Sequence, residues 1–162
     1  MSIKRLVRIA IFAAALFVQE YILSFIPNVQ LTQCLIAVYY YTFGLFDTII
    51  IIIIHIFLDN LIMGSFNLIY TPAMFIGWIT LPLLLHLFRK NQNVFFSASL
   101  VSIHGIIYSF WFVFISVLVL DIPFWTYFIS DISFEIALIL NGFITTLLLK
   151  NKLVKLLKKV AF

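Results

Sequence analysis

Six acidic residues interrupt an otherwise apolar chain: Glu20, Asp47, Asp59, Asp121, Asp131 and Glu135. Asp131 and Glu135 are four residues apart and so share one face of a helix. Measured along that helix they lie about 14 Å and about 20 Å from its start. A carboxylate sunk that far into hydrocarbon costs several kcal/mol unless it faces protein, water or a ligand. Glu20 and Asp59 fall at similar levels on two other apolar stretches. Aromatic residues accompany them: Tyr108 and Trp111 on one stretch, Trp125 and Tyr127 at the head of the next, and Tyr70 and Trp78 on a third. Carboxylates orient positive or hydrogen-bonding groups, and aromatic faces stack on flat rings. Asn28, Gln30 and Asn60 are polar residues at turns that can add hydrogen bonds at the rim. The structural alternative is that each acid is bonded to a neighbouring Tyr, Asn or Ser as packing, and that the aromatics form an interfacial belt.

Histidine offers a second chemistry. His55 and Asp59 share a face at i, i+4, and His104 is placed at mid-depth on another stretch, so a metal site requires these three to converge across helices. Spacing alone does not bring them together, and ordinary hydrogen-bonded histidines are the simpler expectation. Cys34 is the one cysteine, which excludes an internal disulfide and a cysteine zinc site. No Gly-x-Ser-x-Gly, His-Glu-x-x-His or phosphate-binding loop occurs, so neither hydrolysis nor ATP coupling has a recognisable sequence basis.

The elements carrying these groups are membrane helices. The chain has 162 residues, 65% hydrophobic and 10% charged, and its mean hydropathy is +1.21. Soluble domains carry about a quarter charged residues. A β-barrel needs polar residues at every second position, which these runs lack. The sequence predicts one integral membrane domain over 1–162, an all-α bundle of six transmembrane helices near 6–26, 31–46, 47–64, 71–88, 94–120 and 122–149. Pro27 closes the first, Asp47 is read as the N-cap of the third, and Thr71-Pro72 opens the fourth. A basic tail follows over 150–162. The ten basic residues fall in three places: Lys4, Arg5 and Arg8; Arg89 and Lys90; and Lys150, Lys152, Lys155, Lys158 and Lys159. Six crossings put all three on one side, which the positive-inside rule makes the cytoplasm, with both termini there. A cleaved signal peptide is the competing reading of residues 1–20, but Gln19-Glu20 makes a poor cleavage region. The opposite half of the bundle then holds carboxylates and no Lys or Arg. A pocket opening there favours a neutral or cationic ligand.

Helix one also carries Ala10-x-x-x-Ala14, a small-residue stripe that lets another helix approach closely, whether from this bundle or from a partner. Six helices are too few for the paired repeats of a self-sufficient secondary transporter. If the chain moves a solute, it does so with partners.

Over nearly its whole length the chain resembles an S component, the membrane-embedded substrate-binding subunit of energy-coupling factor (ECF) vitamin transporters. The likeness rests on six helices in about 160 residues, on the Ala10 and Ala14 motif, and on the turn Ile26-Pro27-Asn28-Val29-Gln30-Leu31. It extends to Tyr70-Thr71-Pro72-Ala73-Met74 and to Pro123-Phe124-Trp125 leading into Asp131-Ile132-Ser133-Phe134-Glu135. The resemblance implies capture of a vitamin or precursor from outside. It also implies docking through Ala10 and Ala14 onto a membrane coupling subunit served by two ATPase subunits, with the S component toppling to deliver its ligand. Ser2 and Ile3 replace the N-terminal histidine of cobalt and nickel relatives, which puts metal transport in doubt.

The expectation is therefore a non-enzymatic substrate-capture subunit in the cell membrane, without cofactor or metal. It binds a small, vitamin-like, neutral or cationic molecule through Asp131, Glu135, Trp111 and Tyr108, with help from Glu20, Asp59, Asn28, Gln30 and Trp125. Its expected partners are the coupling subunit, two ATPases and the lipid bilayer, not nucleic acid. The alternatives are a small intramembrane enzyme using Asp131, Glu135 or His104, and a structural membrane subunit without a ligand.

Overall fold

In the computed structural model, residues 2–26, 29–64 and 66–160 are described. Among them the chain forms six α-helices and no strand: α1 (Ile3–Leu23), α2 (Thr32–Phe43), α3 (Leu45–Ile62), α4 (Tyr70–Leu87), α5 (Val94–Leu120) and α6 (Phe124–Val160). All but α2 are long and apolar enough to cross a membrane.

Local chemistry sets the boundaries. The Ser2 hydroxyl caps α1 by accepting from Arg5 N at 3.3 Å. Asn67 Oδ1 accepts from Ile69 N and Tyr70 N ahead of α4. Pro72 then falls in the first turn of α4, where its missing N–H costs nothing. Asn93 Oδ1 accepts from Phe95 N at 2.8 Å to start α5. Between α5 and α6, Asp121 takes a left-handed conformation with φ 55, and Pro123 precedes the new helix.

Three expectations are corrected. The second helix stops at Phe43 rather than near 46, because Gly44 turns the chain with φ 83. That conformation requires glycine, since an L side chain is strained there even though a Cβ would meet nothing within 4 Å. Gly44, not Asp47, consequently occupies the cap of α3. Asp47 lies in the first turn and is bound by Arg5 at Nε and by Arg8 through its guanidinium. Finally, the basic segment after Leu149 continues α6 as a helix to Val160, carried by lysines and leucines that favour helix.

The helices α1, α3, α4, α5 and α6 follow one another around α2, which touches all five. The core surrounds α2: Ile36, Ala37, Val38 and Tyr39 pack against Leu16, Ile51, Ile52, Leu81, Leu85 and Val101, all buried. The outer surfaces are apolar, with Ile11, Phe57, Ile76, Phe110, Phe114 and Ile144 exposed, as suits a perimeter facing lipid rather than water.

The three basic clusters gather at one end. Arg5 and Arg8 meet Asp47 at the start of α3. Tyr40, near the end of α2, reaches His86 near the end of α4. Lys150 Nζ donates to Gln92 O and Ser97 Oγ beside the start of α5.

With 12 residues, α2 is about 18 Å long, and its position matters more than its length. Asn141 Nδ2 donates to Gln30 O immediately before α2. Asn141 lies about 26 Å along α6 from Phe124. The head of α2 is thus held deep in the bundle, and Glu20 of α1, Asp59 of α3, and Asp131 and Glu135 of α6 lie on its far side from the basic end.

Candidate functional site

The floor of the acidic half is a polar cluster joining α1, α2 and α3. Glu20 Oε2 is 3.1 Å from His55 Nε2 and 3.1 Å from the Thr32 hydroxyl. That hydroxyl is also 3.1 Å from Gln30 Oε1, so its one proton serves one of these acceptors at a time. Gln19 completes the floor. Its Nε2 donates to Thr32 Oγ1 at 2.7 Å, and its Oε1 accepts from Leu31 N at 2.8 Å. The Gln19 amide therefore satisfies the first free N–H at the head of α2, a service that helix starts need. His55 is buried and its Nδ1 has no partner.

Tyr108 of α5 stands at the centre of the wall. Its ring packs on Trp78 at 4.6 Å and on Phe112 at 5.0 Å between centroids. Gly77 makes this approach possible, because a Cβ there would fall 2.7 Å from the Tyr108 ring. Glu20, Asp59, Glu135 and Tyr127 all lie within electrostatic range of the Tyr108 hydroxyl. Asp59 is likewise within range of both Glu20 and His55. Three helices, α1, α3 and α6, thus bring acidic or phenolic groups toward one aromatic residue of α5.

Asp131 and Glu135 are one turn apart on α6 and line the same cavity. It has a volume of about 230 Å³ and lies between α5 and α6, with Ser109, Phe110, Val113 and Phe128 among its other walls. Glu135 Oε2 is buried without a partner, and a buried acceptor left unpaired costs about 1–3 kcal/mol. Nearby, Tyr70 Oη lies 3.1 Å from Ser116 Oγ. Glu20 and Gln30 line a second cavity of about 140 Å³ with Leu23, Ser24, Val29 and Met63.

The structure therefore groups the predicted residues unevenly. Glu20, Asp59, Tyr108 and Glu135 form one electrostatic cluster, Asp131 joins it through Glu135, and Gln30 joins it through Thr32. Trp111 is elsewhere: it lines a groove with Ile107, Phe114 and Phe124 and meets the edge of Phe114. Trp125 is 67% exposed and packs on Phe124 and Phe128 at the head of α6. Asn28 lies outside the described residues. Asn60 bonds Thr71 at 2.9 Å, tying α3 to α4. Ala10 and Ala14 are exposed on α1, while Ala13 between them is buried.

His104 belongs to a different network from His55. Its Nε2 donates to Gly77 O at 2.9 Å, which leaves Nδ1 to accept from Gln33 Nε2 at 3.3 Å. Both ring nitrogens are thereby used in joining α2, α4 and α5. His55, Asp59 and His104 do not converge, and among the described residues no three His, Cys, Asp or Glu are grouped to hold a metal ion.

Sequence reasoning passed over Gln19, Thr32 and Gln33. The available signal was three polar side chains flanking a turn between apolar helices. Gln33 is buried with its Oε1 unpartnered, and it packs so closely on α6 that a Cβ at Gly142 would collide with it. Chemically, the cluster presents carboxylates, phenols and an imidazole, with no Lys or Arg in the sequence near it. Such groups can accept hydrogen bonds and interact with positive charge. The chain matches no family model, no curated protein and no solved structure.

Proposed function

We propose that this protein is the substrate-capture subunit of an energy-coupling-factor-type importer, taking a small neutral or cationic molecule at its acidic half. One observation carries the reading: Glu20 of α1, Asp59 of α3 and Glu135 of α6 lie in the same half of the bundle, close enough to act electrostatically on Tyr108, and no Lys or Arg accompanies them. Carboxylates concentrated in an apolar bundle are costly unless something satisfies them. A ligand bearing N–H groups or positive charge does so.

The positive-inside rule orients the bundle. Its basic end, with both termini, lies in the cytoplasm of a multi-pass cell-membrane protein, and the acidic half opens outward. ATP hydrolysis belongs to partner subunits. Ala10 and Ala14, exposed on α1, provide the close-approach surface for the coupling subunit. Trp111 and Trp125, and Asn28 outside the described residues, remain proposed ligand contacts, secondary to the cluster around Tyr108.

Co-expression with an ECF coupling subunit and its two ATPases tests the assignment. The wild type is expected to co-purify with them, and the A10L/A14L double variant is expected to lose them while keeping its folded state. Failure of the wild type to associate with any such module contradicts the assignment.

A further inference from the structure

The basic end holds a second site with the opposite charge preference. The α2–α3 turn and the end of α4 enclose an open cavity of about 270 Å³, lined by Tyr40, Tyr41, Gly44, His86, Arg89 and Gln92. Its phenols and imidazole are organised: Tyr40 Oη is 3.2 Å from His86 Nδ1. Its positive charge is not neutralised from within. Arg89 is exposed and meets no carboxylate among the described residues. Behind Tyr41, Lys150 Nζ sits 3.9 Å from the ring centroid. Lys150 is buried, at 3% exposure, yet its two hydrogen-bond partners, Gln92 O and Ser97 Oγ, are uncharged. Asp47 is the acid nearest in sequence to this end, and Arg5 and Arg8 already occupy both of its oxygens. Lys90 adds charge beside the cavity.

The surroundings specify the anion further. Phe46, Leu87 and Phe88, which adjoin Leu45, His86 and Arg89 of the lining in sequence, are exposed, so apolar side chains flank a cationic, phenol-lined recess. Basic pockets between helices at the cytoplasmic face suit phosphate-bearing headgroups. We propose that this recess binds a phosphate-bearing anion, of the kind an acidic phospholipid headgroup presents, through Arg89, Tyr40 and His86 with Lys150 charging the wall behind them. The site is separate from ligand capture at the acidic half and stands whether or not that reading holds.

The test uses the purified full chain in a neutral detergent. Its melting temperature is followed while adding phosphatidylglycerol, phosphatidylcholine or inorganic phosphate, with Arg89→Gln and Lys155→Gln compared. Arg89 and Lys155 are both exposed, so each variant is expected to fold. Phosphatidylglycerol is expected to stabilise the wild type at lower concentration than phosphatidylcholine. Arg89→Gln is expected to weaken that response about fivefold, the contribution of one basic residue near an anionic surface, while Lys155→Gln leaves it unchanged. A phosphatidylglycerol response that exceeds the inorganic phosphate response assigns the ligand to lipid, and equal responses assign it to a soluble phosphate. Equal responses to the two lipids with none to phosphate, or equal weakening by both variants, overturn the proposal.

Discussion

Glu20 of α1 and His55 of α3 meet at 3.1 Å, a contact that spans 35 positions of sequence and fixes where the acidic half of the bundle begins. His55 donates nowhere else, since its Nδ1 has no partner, and Thr32 binds the same carboxylate oxygen from α2. One carboxylate thereby registers three helices. Residues joined in such a network are expected to couple by about 0.5–3 kcal/mol. A thermal-unfolding cycle of E20A, H55A and the double variant measures it. Additive losses would mean the contact contributes nothing of its own.

Gly77 is needed for Tyr108 to reach its place. A Cβ there would lie 2.7 Å from the Tyr108 ring, and overpacking of this kind costs about 1–3 kcal/mol. G77A is therefore expected to lower the melting temperature and to alter the fluorescence of Trp78, whose ring is 4.6 Å from that of Tyr108. G64A provides the contrast, because a Cβ at Gly64 meets nothing within 4 Å. Equal behaviour of the two variants would disprove the notch.

At the opposite end, Asp47 ties the first turns of α1 and α3 together through two arginines. Its side chain is 6% exposed, against 37% for Arg5 and 21% for Arg8. Removing the shared acid strands two cations, whereas removing one arginine leaves a pair intact. D47A is expected to cost about 1–2 kcal/mol, below the fully buried range because the arginines remain partly solvated. R5A is expected to cost less than half of that. Chemical denaturation in detergent compares them, and an R5A loss as large as that of D47A would contradict the shared arrangement.

Much of this architecture was legible because the chain is punctuated. Asn93 and Asp121 bracket a long run without Asp, Glu, Lys or Arg, and α5 spans Val94–Leu120, as the sequence predicts. The grouping of basic residues anticipated the cluster of Arg5, Arg8, Arg89 and Lys150 at one end. What stayed hidden depends on contacts between distant helices. Asp47 reads as a cap by residue type, yet two arginines 39 and 42 positions away claim its carboxylate. Trp111 and Tyr108 read alike as aromatic residues three apart on α5. Only the neighbouring helices distinguish them: Tyr108 finds the gap at Gly77, and Trp111 turns toward Phe114. Likewise Gln33 is unremarkable in sequence, and only Gly142 on α6 shows how tightly it is enclosed.

The central claim concerns what Glu20, Asp59 and Glu135 receive. The direct measurement is to purify the full chain from cells grown in rich medium, denature it, and identify any released small molecule by mass spectrometry. Glu135→Gln is processed in parallel. A neutral or cationic, nitrogen-bearing compound is expected in near-stoichiometric amount with the wild type and in clearly smaller amount with the variant. An anionic compound, or wild-type protein that releases nothing and shows no stabilisation with any cationic or neutral vitamin added back, would contradict the account.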